Sequence, residues 1–189
     1  MMLHFEKRRG IMMGIFGGNF MTDIISQGLG ILGAALNISS FQMKSNKKLI
    51  LCQFLGSTFF LFNYLLLNAY TGCIMNGLGV IRNFVFLGGD KTRKPFVLIL
   101  VNLAFITGTI FTWQGFISIF PLVGMIAATV TMYMNSGKAM RMAQLFISSP
   151  CWLVYNLASM TIGGVACEIF VITSTAISFI RFGMDGFER

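Results

Sequence analysis

Charged side chains are scarce in this sequence. It holds 14 basic and 6 acidic residues among 189, or 11%, where a soluble domain carries about 25%. That leaves too little polar surface to cover a compact globule, which excludes a soluble globular enzyme and a disordered chain. Histidine is nearly absent: His4, in the N-terminal tail, stands alone, so no histidine-based catalytic centre can be assembled. The four cysteines, Cys52, Cys73, Cys151 and Cys167, sit singly in apolar segments with no CxxC pair. They exclude a secreted disulfide scaffold and read as small buried hydrophobes. HExxH, a Ser/His pair and an acidic metal cluster are all missing, so the expectation is a protein that is not an enzyme, with no cofactor and no metal.

What the chain has instead is apolar length. Hydrophobic residues make up 56%, phenylalanine alone supplies 20, and the mean hydropathy is +0.78. A membrane helix needs about 20 apolar residues to cross ~30 Å of hydrocarbon. Ile24 to Met43, 20 residues between Asp23 and Lys44, fits one crossing. Leu49 to Ile81 is 33 residues between Lys48 and Arg82, two crossings if Arg82 lies in the membrane. A break at Asn68–Gly72 divides it into helices over 49–67 and 71–88. Pro95 to Gly137 runs 43 residues without a charge and breaks around Trp113-Gln-Gly115. Met142 to Ile180 runs 39 residues interrupted by Glu168, with a break near Ser159–Gly164. The total is seven helices, and the long continuous runs exclude the alternating pattern of a barrel.

The basic residues orient this bundle. Seven crossings place Lys44, Lys47, Lys48, Lys91, Arg93, Lys94, Lys138, Arg141, Arg181 and Arg189 on one face, against Lys7, Arg8 and Arg9 on the other. Ten against three predicts an outside N-terminus and a cytoplasmic C-terminus. The net charge of +8 then reads as cytoplasmic loops facing anionic lipid, not as a nucleic-acid surface. Residues 1–20 look like a short signal peptide, basic and then apolar but interrupted by four glycines; a start at Met12, Met13 or Met21 is the alternative reading.

Sliding the chain on itself by 91 residues aligns the first three expected helices with the last three without a gap. Gly33 falls on Gly124, Met43 on Met134, Ser45 on Ser136, Lys47 on Lys138, Gln53 on Gln144 and Ser57 on Ser148. Tyr64 falls on Tyr155, Leu66 on Leu157, Gly72 on Gly163 and Val80-Ile81 on Val171-Ile172. The expected fold is all-α: seven transmembrane helices as two parallel three-helix repeats joined by a linker helix, a 3+1+3 plan, with any ligand near the midplane between the repeats. The organisation reads as a tail over 1–23, a first repeat over 24–89, a linker over 90–114, a second repeat over 115–182 and a cytoplasmic tail over 183–189.

These features carry a resemblance. Gly28-Leu-Gly-Ile-Leu32, Ser40-Phe-Gln-Met-Lys44, Gln53, the run Asn63-Tyr-Leu-Leu-Leu-Asn-Ala-Tyr-Thr-Gly72, and Gly79-Val-Ile-Arg-Asn83 together resemble the YgjV-type bacterial inner-membrane proteins over about residues 24–182. The 3+1+3 plan more distantly resembles the SWEET and PQ-loop superfamily. The first resemblance implies a bacterial inner membrane, the second transport. The superfamily's Pro-Gln pair reads Phe41-Gln42 here and Met132-Tyr133 in the second copy; the in-span prolines are Pro121 and Pro150.

Polar groups inside the spans are the candidate site residues. Arg82 costs about 2.5–3.5 kcal/mol to insert, so it either snorkels, pairs or serves a ligand path. Glu168 is the other intramembrane charge; the 91-residue shift sets it beside Gly77, ~8 Å in depth from Arg82. An ion pair between them and a proton-coupled site are both open. The SWEET-like plan implies a ligand-facing asparagine on the third helix of each repeat, which points to Asn76, whose shifted counterpart is Cys167. Asn63, Tyr64, Tyr155 and Asn156 cluster at matching depths and serve either a ligand or interhelical bonds. Gln53 and Gln144 suggest a shared structural bond. The expected function is a small-solute transporter or facilitator for a sugar-like or other polar metabolite. The alternative is a non-transporting structural or regulatory membrane protein with a dry polar network. Expected partners are the lipid bilayer, anionic lipids at the basic loops, a small polar solute and a second copy of the chain in a homo-oligomer.

Overall fold

The computed structural model describes residues 20–66, 70–113, 115–158 and 162–183. The signal-like tail, the alternative starts at Met12 and Met13, and the tail beyond 183 lie outside the described residues. Those residues hold seven long helices and no strand. They are α1 (Phe20–Ser40), α2 (Asn46–Leu66), α3 (Tyr70–Leu87), α4 (Pro95–Phe111), α5 (Ile119–Tyr133), α6 (137–158) and α7 (Ile162–Phe182). Short 3-10 turns, Gly89–Lys91 and Phe116–Ser118, lead into α4 and α5.

The prolines sit where a helix tolerates them. Pro95 opens α4 and Pro121 lies in the first turn of α5, where the missing N–H has no intrahelical partner to lose. Pro150 lies well inside α6, and there the helix adapts: Gln144–Ser148 form a π-helical turn immediately before it. A proline removes the bond to the carbonyl four residues back and crowds that carbonyl, and a π turn opens the room. The Ser136 hydroxyl accepts the Ala139 N–H at 3.2 Å and caps the start of α6.

Asn46–Leu66, Phe116–Tyr133 and Gly164–Phe182 are long and apolar enough to cross a membrane; Ile24–Ser40, Gly72–Leu87 and Pro95–Phe111 are apolar but shorter. Large apolar side chains stand exposed around the outside, among them Ile31, Phe84, Phe96, Phe111, Phe116 and Ile180. A soluble monomer does not present so much apolar surface; a bilayer covers it without cost.

Packing runs in a circuit. α1 packs on α2 and α2 on α3; α5 packs on α6 and α6 on α7. The two trios meet where α1 touches α7 and α3 touches α5, and α4 bridges α3 and α5. Six helices therefore close a ring. Its interior is filled by one buried cluster, Phe41, Leu49, Ile50, Phe86, Met132, Met140 and Val171, to which α2, α3, α5, α6, α7 and the turn after α1 all contribute. The cluster lies toward the end that bears Lys44, Lys47, Lys91 and Lys138, called here the basic end. A second cluster, Met75, Phe105 and Met125, ties α4 to α3 and α5. α1 and α2 approach closely at Gly33 and Gly56: a Cβ on Gly56 would lie 2.7 Å from the Asn37 side-chain nitrogen and 3.1 Å from the Gly33 carbonyl oxygen.

Candidate functional site

The polar residues of the spans fall into three groups. The first is structural packing between neighbouring helices. Asn63 donates through Nδ2 to the Ser26 carbonyl at 2.7 Å and lies 3.0 Å from the Ser26 hydroxyl, joining α2 to α1. Asn156 lies so close to α7 that a Cβ on Gly164 would fall 2.6 Å from its Cγ; only glycine leaves that space. Asn76 donates to the Gly72 carbonyl of its own helix at 2.9 Å.

The second group surrounds Arg82, which is 5% exposed. It does not snorkel. Its Nε and a terminal nitrogen donate to the Asn83 Oδ1 at 3.1 and 3.0 Å, another terminal nitrogen reaches the Met125 sulfur at 3.7 Å, and the guanidinium carbon stands 5.8 Å from the centre of the Phe105 ring. The neighbouring side chain, an aromatic face and a thioether thus answer the charge. Arg82 and Glu168 do not pair.

The third group lies in the ring interior. Glu168, Val171, Thr175 and Ser178 follow at intervals of three, four and three residues, which places them on one face of α7; Val171 belongs to the central apolar cluster. Glu168 is hydrogen-bonded by the Ser149 side chain of α6, and Ser149 accepts from Gln144 Nε2 at 2.7 Å. The second carboxylate oxygen, Oε2, is buried with no hydrogen-bond partner among the described residues. Tyr64 of α2 lies within electrostatic reach of Glu168, Cys167 and Tyr155. Tyr155 meets Trp152 edge to face at 5.9 Å, and Tyr64 stacks on Phe60 at 6.2 Å. Of the seven residues singled out in the sequence, the structure brings Tyr64, Tyr155 and Glu168 to one place, and sets Asn63, Asn156, Asn76 and Arg82 in other contacts.

At the basic end a set of bonds crosses from one trio to the other, and the sequence did not announce it. Arg141, fully buried, donates to the carbonyls of Phe41 and Met43 in the α1–α2 turn and to Gly137 in its own helix. Arg93 donates to the Met132 carbonyl at the end of α5 at 3.2 Å. Asn46 Nδ2 donates to the Asn135 carbonyl at 2.9 Å, and Asn135 has a left-handed φ of 52°. Gln42 Nε2 donates to the Ser174 carbonyl, and the Ser174 hydroxyl donates to Ile38 O at 2.8 Å. Helix ends leave their last carbonyls without partners, and cationic donors suit them. One signal for Arg141 was available: the 91-residue shift sets it on Ile50, a position 1% exposed. The expected Gln53–Gln144 likeness does not extend to a shared bond. Gln144 bonds Ser149 at 2.7 Å, a bond with no counterpart at Gln53 among the described residues.

A family model described as bacterial inner membrane protein, Imp-YgjV, matches residues 24–185. The chain belongs to this family. The inner membrane protein YgjV of Escherichia coli (strain K12) is 24% identical over 172 residues, covering 87% of this chain and 91% of the relative. No solved structure matches the chain. As a YgjV-family member it is an integral protein of the bacterial inner membrane. The matched range takes in all three polar groups, including Glu168 and the bonds of the basic end.

Proposed function

We propose that this chain is a small-solute carrier built of two related three-helix units, α1–α3 and α5–α7, joined by α4, with seven crossings, the N-terminus outside and the C-terminus in the cytoplasm. Pairs of equivalent contacts support the relation between the units. Up to the π turn the offset is 91 residues: buried Phe41 answers to buried Met132, and Leu49 to Met140. Past it the offset becomes 92, because a π turn holds one residue more than an α turn over the same rise. Gly33 abuts Gly56 as Gly124 abuts Ser148, and Tyr64 abuts Gly72 as Asn156 abuts Gly164. Buried Gly79, Arg82, Asn83 and Phe86 of α3 then fall on buried Val171, Ser174, Thr175 and Ser178 of α7. On this register Glu168 answers to Asn76 and not to Gly77.

The observation that carries the carrier reading is a half-buried glutamate whose Oε2 is buried and, among the described residues, unbonded, placed just beyond an apolar plug. The plug and the crossing bonds close the ring at its basic, cytoplasmic end. Tyr64, Tyr155 and Glu168 lie on the far side of it. A site on one side of a closed constriction, between two halves that can rock about it, is the arrangement alternating access requires. Intramembrane ionisable groups commonly mark such paths. The chain acts without enzymatic chemistry, its basic loops rest on anionic lipid, and its passenger is a small polar solute.

The contacts of Arg82, Asn63 and Asn156 favour the dry-network reading for those three residues, which serve the scaffold. The test is thiol labelling of Cys167, one residue from Glu168, from either side of the membrane in sealed vesicles. Labelling by a water-soluble maleimide from the outside face is expected; complete protection of Cys167 from both faces, together with no uptake of any solute into proteoliposomes, would overturn the carrier reading.

A further inference from the structure

Among the described residues, no cation lies beside Glu168. Its bonded oxygen faces the Ser149 hydroxyl, which is already held by Gln144. Its other oxygen faces nothing that donates. The phenol of Tyr64 and the thiol of Cys167 lie within electrostatic reach of it, and the phenol of Tyr155 lies within reach of Tyr64; none of them is basic. The one buried cation within the span of α3, Arg82, is held by Asn83, Met125 and Phe105 on the side of the ring next to α4. Arg141 is bonded to three carbonyls at the basic end.

A carboxylate in a low-dielectric interior demands a positive partner, because an unpaired buried charge costs several kcal/mol. A neutral polyol does not supply that partner, and an anion makes matters worse. The ring of Tyr64, within electrostatic reach of the carboxylate, adds attraction for a cation over its face. The unit relation sharpens the point: at the equivalent place in the first unit stands neutral Asn76, already bonded to Gly72, so the interior carries a single carboxyl group and not a pair.

Resting on the carrier reading, we infer that the passenger of this site is a small organic cation, an ammonium or guanidinium compound, whose charge is met by Glu168 and whose body lies against Tyr64 and Tyr155. Ser149 and Gln144 are positioning residues: the relay from Gln144 through Ser149 fixes one oxygen of Glu168 and leaves the other to face the passenger.

The test uses the full chain in detergent and in proteoliposomes, with choline, ethylammonium and guanidinium as cationic probes, glucose and glycerol as neutral ones and lactate as the anion. At least one cation is expected to raise the melting temperature and to produce a concentration-dependent current on a solid-supported membrane, with glucose, glycerol and lactate silent. Glu168→Gln is expected to weaken the apparent affinity for that cation about tenfold or more, and Glu168→Asp to restore part of it. Ser149→Ala is expected to weaken it by a smaller factor and to lower the melting temperature without ligand slightly, since it leaves Gln144 without its acceptor. If glucose or lactate and not the cations binds and is carried, the carrier reading stands and the cation inference falls. If the cations bind through Glu168 but produce no current or uptake, the cation site stands and the carrier reading falls. A cation response equal in wild type and in folded Glu168→Gln overturns the assignment to this residue, as does silence from all three cations.

Discussion

Arg141 and Glu168 belong to neighbouring helices of the same three-helix unit, and both carry a charge into the interior, yet the fold surrounds them differently. Arg141 is fully buried and donates to three backbone carbonyls, two of them in the turn after α1. Glu168 has one oxygen bonded to Ser149 and the other bonded to nothing. Arg82 resembles Arg141 in this respect, with Asn83 oriented toward it. A buried charge whose donors or acceptors are all met by its own chain holds the scaffold together. A buried charge left partly unmet destabilises the empty protein, and such a cost persists where something outside the chain offsets it. The contrast separates the end of the bundle that ties the halves together from the place where we propose that a passenger binds.

The sharpest way to break this contrast is to remove the clasp. Arg141→Met leaves the Phe41 and Met43 carbonyls without their donor and is expected to cost about 3 kcal/mol, read as a lowered melting temperature in detergent; an unchanged melt would deny Arg141 its role. Arg82→Leu removes a charge along with its bonds, so the loss and the relief partly cancel, and a cost of about 1 kcal/mol is expected. Uptake should survive in that variant. Lost uptake at unchanged stability would move Arg82 from the scaffold to the path. Asn63→Leu removes one interhelical bond to Ser26 and is expected to cost about 0.6 kcal/mol, again with uptake intact. Least of all, Glu168→Gln keeps a partner for Ser149 and removes the uncompensated charge, so its melting temperature without ligand should stay level or rise. A large fall there would place Glu168 with the scaffold residues.

The course of the helices was legible in the sequence. Helices expected over 49–67 and 71–88 lie at Asn46–Leu66 and Tyr70–Leu87, and the linker expected from Pro95 runs over Pro95–Phe111. Length, charge and proline set these bounds, and all three are visible in a single chain. Which way each side chain points was much less legible. In water, one face of a helix is apolar and one polar, so the period reveals the inside; here the lipid-facing and core-facing sides are both apolar, and that signal fades. Hence Asn63 and Tyr64, adjacent in sequence, went together onto the candidate list, although one bonds α1 and the other lies near Glu168. Arg141 was read as a loop residue because basic residues close an apolar run, but α6 begins at Gly137 and carries Arg141 inward in its first turns. For Arg82 the sequence leaves snorkelling, pairing and a ligand path open, because a guanidinium folding back on the next side chain leaves no trace in spacing.

The wide turn over Gln144–Ser148 has one more consequence. Were a single residue taken out there, say Phe146, the helix would tighten to its regular winding and everything between Pro150 and Ala158 would swing by about 100°. Trp152, Tyr155 and Asn156 would change the walls they face, while Arg141, upstream, would keep its grip. One surplus residue therefore aims the far half of this helix, and a shortened variant would rotate the aromatic wall without touching the clasp.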